Sequence, residues 1–317
     1  MILKSSSMNE HLLNFKNYLL VELGLSNNTI KSYVLDCELF INFLNNEGIN
    51  FIDASKNDLR NFIITRLNHV TYRKGKESNL SVRRRVSSIK KFYHYLFLKN
   101  VIQFDPMINM KMPKIRRKDI DVLSEQDVNL LIEGTLKRND DLTLRDLALI
   151  YLLYSSGLRC SELINVKLAD MNLDKREIRV IGKGNKERVV IFSKMTQQIL
   201  SSYIDSSRKK LLAKWEKEND FLFLNSKGDQ LTSRGLEFIL DSVVKKANIT
   251  LGIKLHPHAF RHSFATRLLR NGADISFVQE LLGHESISTT EKYIHLNIDD
   301  LREAYYKCFK NTKKNDK

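Results

Sequence analysis

The scarcity of proline and glycine is the feature of this sequence that most limits its fold. Only 3 prolines and 12 glycines occur among 317 residues, and because these residues are the usual interruptions of helices, the chain favours long helices. Two of the prolines fall within residues 105–120, a segment that also carries five Lys or Arg side chains. This segment is therefore predicted to be an extended basic linker that divides the chain into two domains.

The part of the chain before the linker has apolar residues at helical spacing and almost no strand pattern. The expected helices cover residues 9–22 and begin after Ser26, after Ser55 and after Asn79 or Ser81. We predict a four-helix domain at residues 8–104.

The part after the linker combines helices with one hairpin. Ser124 has the side chain of an N-cap, and an apolar helix is expected over residues 142–154, ending near Gly157. Residues 177–192 hold the one strong hairpin pattern, in which two β-rich runs flank a Gly-Lys-Gly-Asn-Lys turn. A shorter strand is expected at residues 221–224.

The predicted fold class is therefore mainly α. The four-helix domain precedes a mixed, mostly helical domain at residues 121–309, which contains a small β-hairpin or sheet. Residues 310–317 are expected to form a flexible polar tail.

The basic residues are unevenly distributed along the chain. The formal net charge is +15, and residues 71–118 alone carry 14 basic and two acidic side chains, a net charge of +12. A block this dense suits a polyphosphate backbone, although a solvated helix face can have the same composition. The charge leaves nucleic acid or an anionic membrane surface as the expected partner.

Cysteine usage and hydropathy narrow the compartment. The three cysteines are far apart in sequence, at Cys37, Cys160 and Cys308, and they match neither a disulfide framework nor a zinc motif. The first residues lack the apolar run of a signal peptide, and no stretch is long and apolar enough for a membrane span. We therefore expect a cytoplasmic protein without a membrane partner.

A small set of basic residues and one tyrosine could carry chemistry. The set comprises Arg159, Lys183, His258, Arg261, His284 and Tyr293. Taken singly, each has an ordinary structural explanation. Three histidines, His256, His258 and His262, could indicate a metal site, but no Asp, Glu or Cys lies close by in sequence as a fourth ligand.

Together the set suits transfer of a phosphodiester. Guanidinium and imidazole groups can balance the charge that develops on the phosphate oxygens, and a lysine can protonate the leaving oxygen. A phenol nucleophile keeps the bond energy in a phosphotyrosine, so neither ATP nor a metal ion is required. No cofactor and no metal site are expected.

Three sequence segments carry a family resemblance. SSGLRCSEL, GKGNKERVV and HPHAFRHSFATRLLRNGADISFVQELLGHESISTTEKYIH resemble, in this order, the motifs of the tyrosine recombinases, which include phage integrases and Xer recombinases. The resemblance spans almost the whole chain. The compact length and the LLGHESISTT segment are most similar to the Xer type.

The resemblance implies a role for each residue that would surround the phosphate. Arg159 and Arg261 would clamp the scissile phosphate, and His284 would donate a hydrogen bond to it. Glu162, three residues after Arg159, would support that arginine. His262 would be structural, packed beneath the active site.

The resemblance also implies the residues that move protons and form the covalent bond. Tyr293 would form the 3′-phosphotyrosine link. Lys183 would be the general acid for the departing 5′ hydroxyl. His258 would either assist proton transfer from Tyr293 or orient the site.

The two domains of this family close around duplex DNA, with the N-terminal one serving as the core-binding domain. The basic block would then contact the DNA backbone rather than read its sequence. The expected DNA-binding residues are Arg73, Lys74, Lys76, Arg83, Arg84, Arg85, Lys90, Lys91, Lys186 and Arg188.

Assembly and biological role follow from the same resemblance. A homo-tetramer on two DNA sites, or a hetero-tetramer with a paralogue, would exchange a C-terminal docking helix at residues 298–309; the alternative is a helix folded back on its own domain. A DNA translocase is a candidate activator. The implied function is Xer-like dimer resolution or integration and excision of a mobile element, through a Holliday junction. A type IB topoisomerase-like enzyme and a non-catalytic DNA-binding protein on the same scaffold are the alternatives.

Overall fold

The chain forms two compact units, Met1–Lys118 and Asp119–Lys317. The structure is a computed structural model and describes residues 2–68, 70–71, 75–76, 79–111, 122–182, 186–246, 248–283 and 298–310. Every helix within these ranges is too short or too polar to cross a membrane.

Four helices dominate the first unit, as predicted. They are α1 (Ile2–Val21), α2 (Asn27–Asn46), α3 (Lys56–Asn68) and α4 (Asn79–Leu98), accompanied by two short paired strands, β1 (Val70–Thr71) and β2 (Gly75–Lys76). The first helix begins earlier than expected, and the β1–β2 pair was not predicted. Ser26 caps α2, because its Oγ accepts a hydrogen bond from the Thr29 N–H at 3.3 Å.

The segment after α4 folds onto the core of the first unit. Ile102, Met107 and Met110 are buried among the apolar residues of the four helices. The Lys90 ammonium donates hydrogen bonds to the carbonyl oxygens of Ile108 and Met110, at 3.3 and 3.1 Å. The chain is thus packed through its first residues after position 105, where an extended linker was expected, because two methionines supply apolar anchors there. Residues 112–121 lie outside the described residues.

The second unit is built mostly from helices around a three-stranded antiparallel sheet of order β3-β4-β5. Its elements are α5 (Glu125–Leu136), α6 (Thr143–Ser156), α7 (Cys160–Asn165), β3 (Met171–Asn172), β4 (Glu177–Ile181), β5 (Glu187–Ile191), α8 (Lys194–Ser202), a π-helical turn (Tyr203–Arg208), α9 (Lys209–Lys214), α10 (Ser233–Lys246), α11 (Pro257–Arg270), α12 (Ile275–Leu282) and α13 (Ile298–Lys310). The mostly helical fold with a small sheet is therefore confirmed.

The predicted hairpin and capping signals appear in the second unit. Ser124 forms a capping box with Asp127 at the start of α5. Strands β4 and β5 pair in register from Glu177 opposite Ile191 to Ile181 opposite Glu187.

The strand expected at residues 221–224 is wrong. Phe221 and Leu224 form only isolated bridges, with Lys167 and Gln230. The intervening Leu222 and Phe223 are fully buried, and the chain turns at once after Leu224, so the apolar run reported burial rather than an extended strand.

Helices α11, α12 and α13 form a second apolar cluster with the end of β5. Tyr305 of α13 is fully buried, and its hydroxyl donates to the Ser155 carbonyl oxygen at 2.7 Å. The Arg176 guanidinium lies 4.3 Å from the centre of the Tyr306 ring. Helix α13 thus packs on its own unit in this structure.

Candidate active site

The turn between α6 and α7 places the first candidate arginine. Gly157 ends α6 with φ of 62°, a conformation that favours glycine. A Cβ at this position would lie 2.5 Å from Cδ1 of Phe264, so glycine also permits the close approach of α11. Arg159 follows as the N-cap residue of α7.

Arg159 contacts both its own helix and a distant one. Its Nη1 donates to Oε1 of Glu162 at 2.7 Å, and its backbone N–H donates to Oε2 at 2.8 Å. Its Nη2 donates to the carbonyl oxygen of Gly283 at 2.8 Å. About a quarter of the side chain, 26%, stays exposed, so the guanidinium is held in place and still reachable by a ligand.

Arg261 of α11 is more deeply buried, with 6% of the residue exposed. Its Nη1 donates to the carbonyl oxygen of Gly157 at 2.6 Å, and its Nη2 donates to that of Leu282 at 2.5 Å. Burial and the nearby charge of Arg159 lower the pKa of Arg261 to about 10. The side chain therefore remains a cation at neutral pH.

Arg188 on β5 is a third arginine in this group. Its Nη1 and Nη2 donate to Oε1 and Oε2 of Glu162 at 2.6 and 2.8 Å, and its Nε donates to the Leu281 carbonyl oxygen at 3.4 Å. The sequence predicted Arg188 as a DNA-binding residue, whereas the structure directs these donors inward. Because its partners lie 26 and 93 residues away, no local pattern signals this position.

Glu162 is the carboxylate shared by Arg159 and Arg188. It is 5% exposed, and burial alone would raise its pKa. Hydrogen bonds from Arg188 and from the backbone and side chain of Arg159, together with the charge of Arg188, outweigh burial and lower the pKa of Glu162 to about 2. Its contact with Arg159 has the geometry expected for a supporting residue.

The carboxyl end of α12 receives all three arginines. The successive carbonyl oxygens of Leu281, Leu282 and Gly283 accept from Arg188, Arg261 and Arg159 respectively. The last carbonyls of a helix lack partners within the helix and carry its negative dipole end, so cations are favoured there. Sequence reasoning missed this arrangement.

The histidines of α11 lie beside this group. His256 caps the helix, because its Nδ1 accepts from the Ala259 N–H at 3.1 Å. Partial burial and the nearby charges of His262, His256, Arg261 and Arg159 lower the pKa of His258, which favours a neutral imidazole at pH 7.

His262 departs from its expected environment. Its side chain is exposed rather than packed beneath the site. Its ring lies 6.4 Å from that of His258, measured between centroids. One turn of helix separates the two residues, so both histidines lie on the exposed side of α11.

Three candidate catalytic residues, Lys183, His284 and Tyr293, lie outside the described residues. The structure does describe their neighbours Gly182 and Gly283, which belong to the hairpin and to the end of α12. It therefore brings together Arg159, Arg261 and Glu162, and adds Arg188 to them. Across the described ranges, no group of three or more His, Cys, Asp or Glu side chains could hold a metal ion.

The candidate DNA-binding residues of the first unit fall into different environments. Arg73 and Lys74 lie outside the described residues, and Lys76 belongs to β2. Arg83 is exposed. Arg84 donates through both Nη atoms to the buried carboxylate of Asp36, and its Nη2–Oδ1 distance is 2.9 Å.

Arg85, Lys90 and Lys91 are less open than a solvated helix face would make them. The Arg85 Nε lies 3.9 Å from the same Asp36 carboxylate, and Lys90 is bonded to backbone carbonyls as described above. Burial raises the pKa of Asp36, and Ser88 and the two arginines offset this only in part. Lys91 is half-buried, and Lys186, in the second unit, is exposed.

The two units match two family models. Residues 121–299 match the phage integrase family, and residues 12–100 match the phage integrase N-terminal SAM-like domain. The chain is 38% identical to the tyrosine recombinase XerC of Oceanobacillus iheyensis over 298 residues, which cover 92% of this chain and 93% of the relative. The chain belongs to the phage integrase family.

A second relative has the same level of identity, and two solved structures share the fold. Tyrosine recombinase XerD of Listeria innocua is 38% identical over 94% of this chain and 98% of its own. The fold is similar to that of the Tn1549 transposon integrase in complex with a circular intermediate DNA, with a TM-score of 0.66 and 19% identity over 92% of this chain and 98% of that one. XerH bound to a palindromic difH substrate gives a TM-score of 0.63 and 23% identity over 87% and 78%.

The family settles the class of enzyme. The chain is a tyrosine recombinase of the Xer type, and its activity is site-specific DNA recombination. This function is favoured over both a topoisomerase-like and a non-catalytic alternative.

Proposed function

We propose that this recombinase cleaves DNA at a phosphodiester held between Arg159 and Arg261, with Tyr293 as the nucleophile. The observation that carries the proposal is the convergence of two arginines from distant parts of the chain on the end of α12. Both guanidiniums bond successive carbonyls there, those of Gly283 and Leu282. Burial and the nearby charge of Arg159 lower the pKa of Arg261, which places two cations close together in a partly desolvated site.

The charge of the arginine group supports a phosphate ligand. Arg159, Arg188 and Arg261 contribute three positive charges, and Glu162, which bonds two of them, contributes one negative charge. The group therefore has an excess of two positive charges. A phosphodiester brings one negative charge and gains another as it becomes five-coordinate, so fixed cations stabilise its transition state.

The chemical step exchanges one phosphoester bond for another and so keeps the bond energy. The Tyr293 oxygen would attack the phosphorus while the bond to the 5′ oxygen breaks, which leaves a 3′-phosphotyrosine. The phenol proton would pass to a base. His258 could be this base, because its lowered pKa favours a neutral imidazole that can accept a proton. Lys183 would give a proton to the departing oxygen, and His284 would donate a hydrogen bond to the phosphate. Rejoining reverses these steps, so no ATP or metal ion is needed.

Duplex DNA with a specific recombination site is the proposed substrate. Structures of the related XerH and of the Tn1549 integrase hold DNA, and this chain concentrates a charge of +12 in residues 71–118. The exposed basic residues of this segment would contact the phosphate backbone. Dimer resolution and mobile-element transfer are both compatible with this chemistry.

A tetramer on two DNA sites, of one protein or with a paralogue, is the proposed assembly. Helix α13 would leave the position it holds on its own unit and dock on a neighbouring protomer. The buried Tyr305 and the bond from Asn271 Nδ2 to the Cys308 carbonyl oxygen at 2.7 Å are the contacts to be exchanged.

Covalent trapping tests the proposed chemistry. In a nicked duplex carrying the recombination site, cleavage releases the short fragment that bears the free 5′ hydroxyl. Rejoining is then impossible, so the enzyme stays attached to the DNA and migrates as an adduct in a denaturing gel. Wild-type protein should form the adduct with or without EDTA, and Tyr293→Phe should form none. An adduct formed by Tyr293→Phe would refute the nucleophile, and loss of the wild-type adduct in EDTA would refute the metal-free mechanism.

A further inference from the structure

Arg188 lies where the hairpin, α7 and the end of α12 meet. It belongs to β5, opposite Val180 of β4, and 14% of its side chain is exposed. Its two Nη atoms form a fork on both oxygens of Glu162, and its Nε bonds the carbonyl oxygen of Leu281. One side chain thus joins three elements that are distant in sequence.

Two glycines give this side chain its space. A Cβ at Gly283 would lie 3.1 Å from Cδ of Arg188, and a Cβ at Gly182 would lie 3.4 Å from its Nη1. Gly182 directly precedes Lys183 in sequence, and Gly283 directly precedes His284. The Arg188 side chain therefore packs against the backbone on which two of the proposed catalytic residues follow.

We propose that Arg188 is a positioning residue for DNA cleavage. It holds the hairpin that carries Lys183 against Glu162, which in turn holds Arg159. Strand β5 and the phosphate clamp are thereby fixed relative to one another, and Lys183 precedes Arg188 by five residues in sequence. This inference rests on the proposed function, because it assumes that Lys183 protonates the leaving oxygen.

The geometry requires an arginine rather than any cation. A planar guanidinium can bond both carboxylate oxygens and still direct Nε to a third acceptor, whereas an ammonium group has no such fork. Lysine at this position would preserve the charge and lose the link between the three elements. A displacement of about 1 Å in a catalytic group can reduce rate by about 100-fold.

Arg188→Lys is the decisive variant, because it leaves the charge unchanged. Two nicked substrates are compared: one with an ordinary phosphodiester, and one in which sulfur replaces the leaving 5′ oxygen. A thiolate departs without protonation at neutral pH, so cleavage of the second substrate does not depend on a general acid. Single-turnover cleavage is measured with all DNA bound, below the melting midpoint of each variant.

We expect Arg188→Lys to cleave the ordinary substrate about 10- to 100-fold more slowly than wild type and the sulfur substrate within about threefold of it. Its affinity for DNA should keep the wild-type dependence on salt. Arg188→Met should behave in the same way. Arg179→Met is the matched control, because Arg179 lies on β4 of the same hairpin with an exposed side chain, and it should cleave both substrates normally.

Three results would overturn the inference. Full activity of Arg188→Lys on the ordinary substrate would show that charge alone suffices. Equal slowing on both substrates would separate Arg188 from the general acid. If Arg188→Met instead cleaves normally while its plot of log K for DNA binding against log salt becomes shallower by about 1, Arg188 is a direct phosphate contact.

Lys183→Ala distinguishes failure of the inference from failure of the proposed function. Rescue of Lys183→Ala by sulfur, without rescue of Arg188→Lys, would refute only the role of Arg188. Equal slowing of Lys183→Ala on both substrates would refute the general-acid assignment itself.

Discussion

At the scale of single residues, Glu162 links two arginines of the candidate active site. Its carboxylate accepts hydrogen bonds from Arg159 and Arg188, and both arginines also bond the end of α12. Removing this buried carboxylate would leave two arginine side chains close together with no negative charge between them. The loss of stability is then larger than the net free energy that the ion pair contributes. The stability of the site is therefore expected to depend on the ionised form of Glu162.

The pH dependence of stability tests this expectation through Glu162→Gln. The folded pKa of Glu162, about 2, lies below its unfolded value, so its contribution is present above the unfolded pKa and is lost as pH falls towards 2. At about 1.4 kcal/mol per pKa unit, the carboxylate contributes about 3 kcal/mol at neutral pH. Urea unfolding should show Glu162→Gln less stable by about that amount at pH 7, with the deficit shrinking below about pH 5.

Glu187→Gln is the control for this comparison. Glu187 lies on β5 beside Arg188 and is exposed, so its replacement should change stability by less than about 0.5 kcal/mol at any pH. A deficit of Glu162→Gln that stays constant from pH 7 to pH 3 would contradict the assignment of the low pKa.

At the scale of elements, local patterns predicted the helices and the hairpin but not the contacts between them. Ser26 and Ser124 cap the helices expected to follow them, because a cap is a contact between neighbours in sequence. The pair Arg159 and Glu162 could be foreseen for the same reason, at a spacing of three residues. The burial of residues 222–224 without a strand and the inward direction of Arg188 depend on distant partners, which periodicity does not encode.

Gly157 tests how closely α6, α11 and α12 must approach. Gly157→Ala places a Cβ in a left-handed conformation and within 2.5 Å of Phe264 and 3.0 Å of Leu282. Strain of about 1 kcal/mol and overpacking of about 1–3 kcal/mol should add. Denaturant unfolding should therefore show a loss of about 2–4 kcal/mol, and cleavage should fall because Arg261 bonds the Gly157 carbonyl oxygen.

Gly272→Ala separates the two contributions to this loss. Gly272 also has a positive φ, of 85°, but a Cβ there would meet nothing within 4 Å. Its replacement should cost only the conformational strain, about 1 kcal/mol. Equal losses in Gly157→Ala and Gly272→Ala would show that the helices do not pack closely at Gly157.

At the scale of the whole molecule, the net charge of +15 serves more than one purpose. Arg84 and Arg85 lie against the buried Asp36, and Lys90 bonds two backbone carbonyls. Arg159 and Arg261 would instead hold the one phosphate of the proposed cleavage site. Only part of the basic block is therefore expected to appear in the salt dependence of DNA binding, which counts the phosphates neutralised by the protein.

Single substitutions in the block can separate these purposes. Arg83 is exposed on α4, so Arg83→Ala should weaken binding to all DNA sequences and lower the slope of log K against log salt by about 0.9, with stability unchanged. Arg84→Ala should instead destabilise the first unit by about 1–3 kcal/mol. Asp36 is only 1% exposed, and this substitution removes the guanidinium that bonds both of its carboxylate oxygens. Arg60→Ala, at an exposed position on α3 outside the block, controls for loss of charge alone. If Arg60→Ala and Arg83→Ala lower the slope equally, the DNA lies on a broader surface than the basic block. If Arg84→Ala lowers the slope and keeps full stability, Arg84 binds phosphate despite its contact with Asp36.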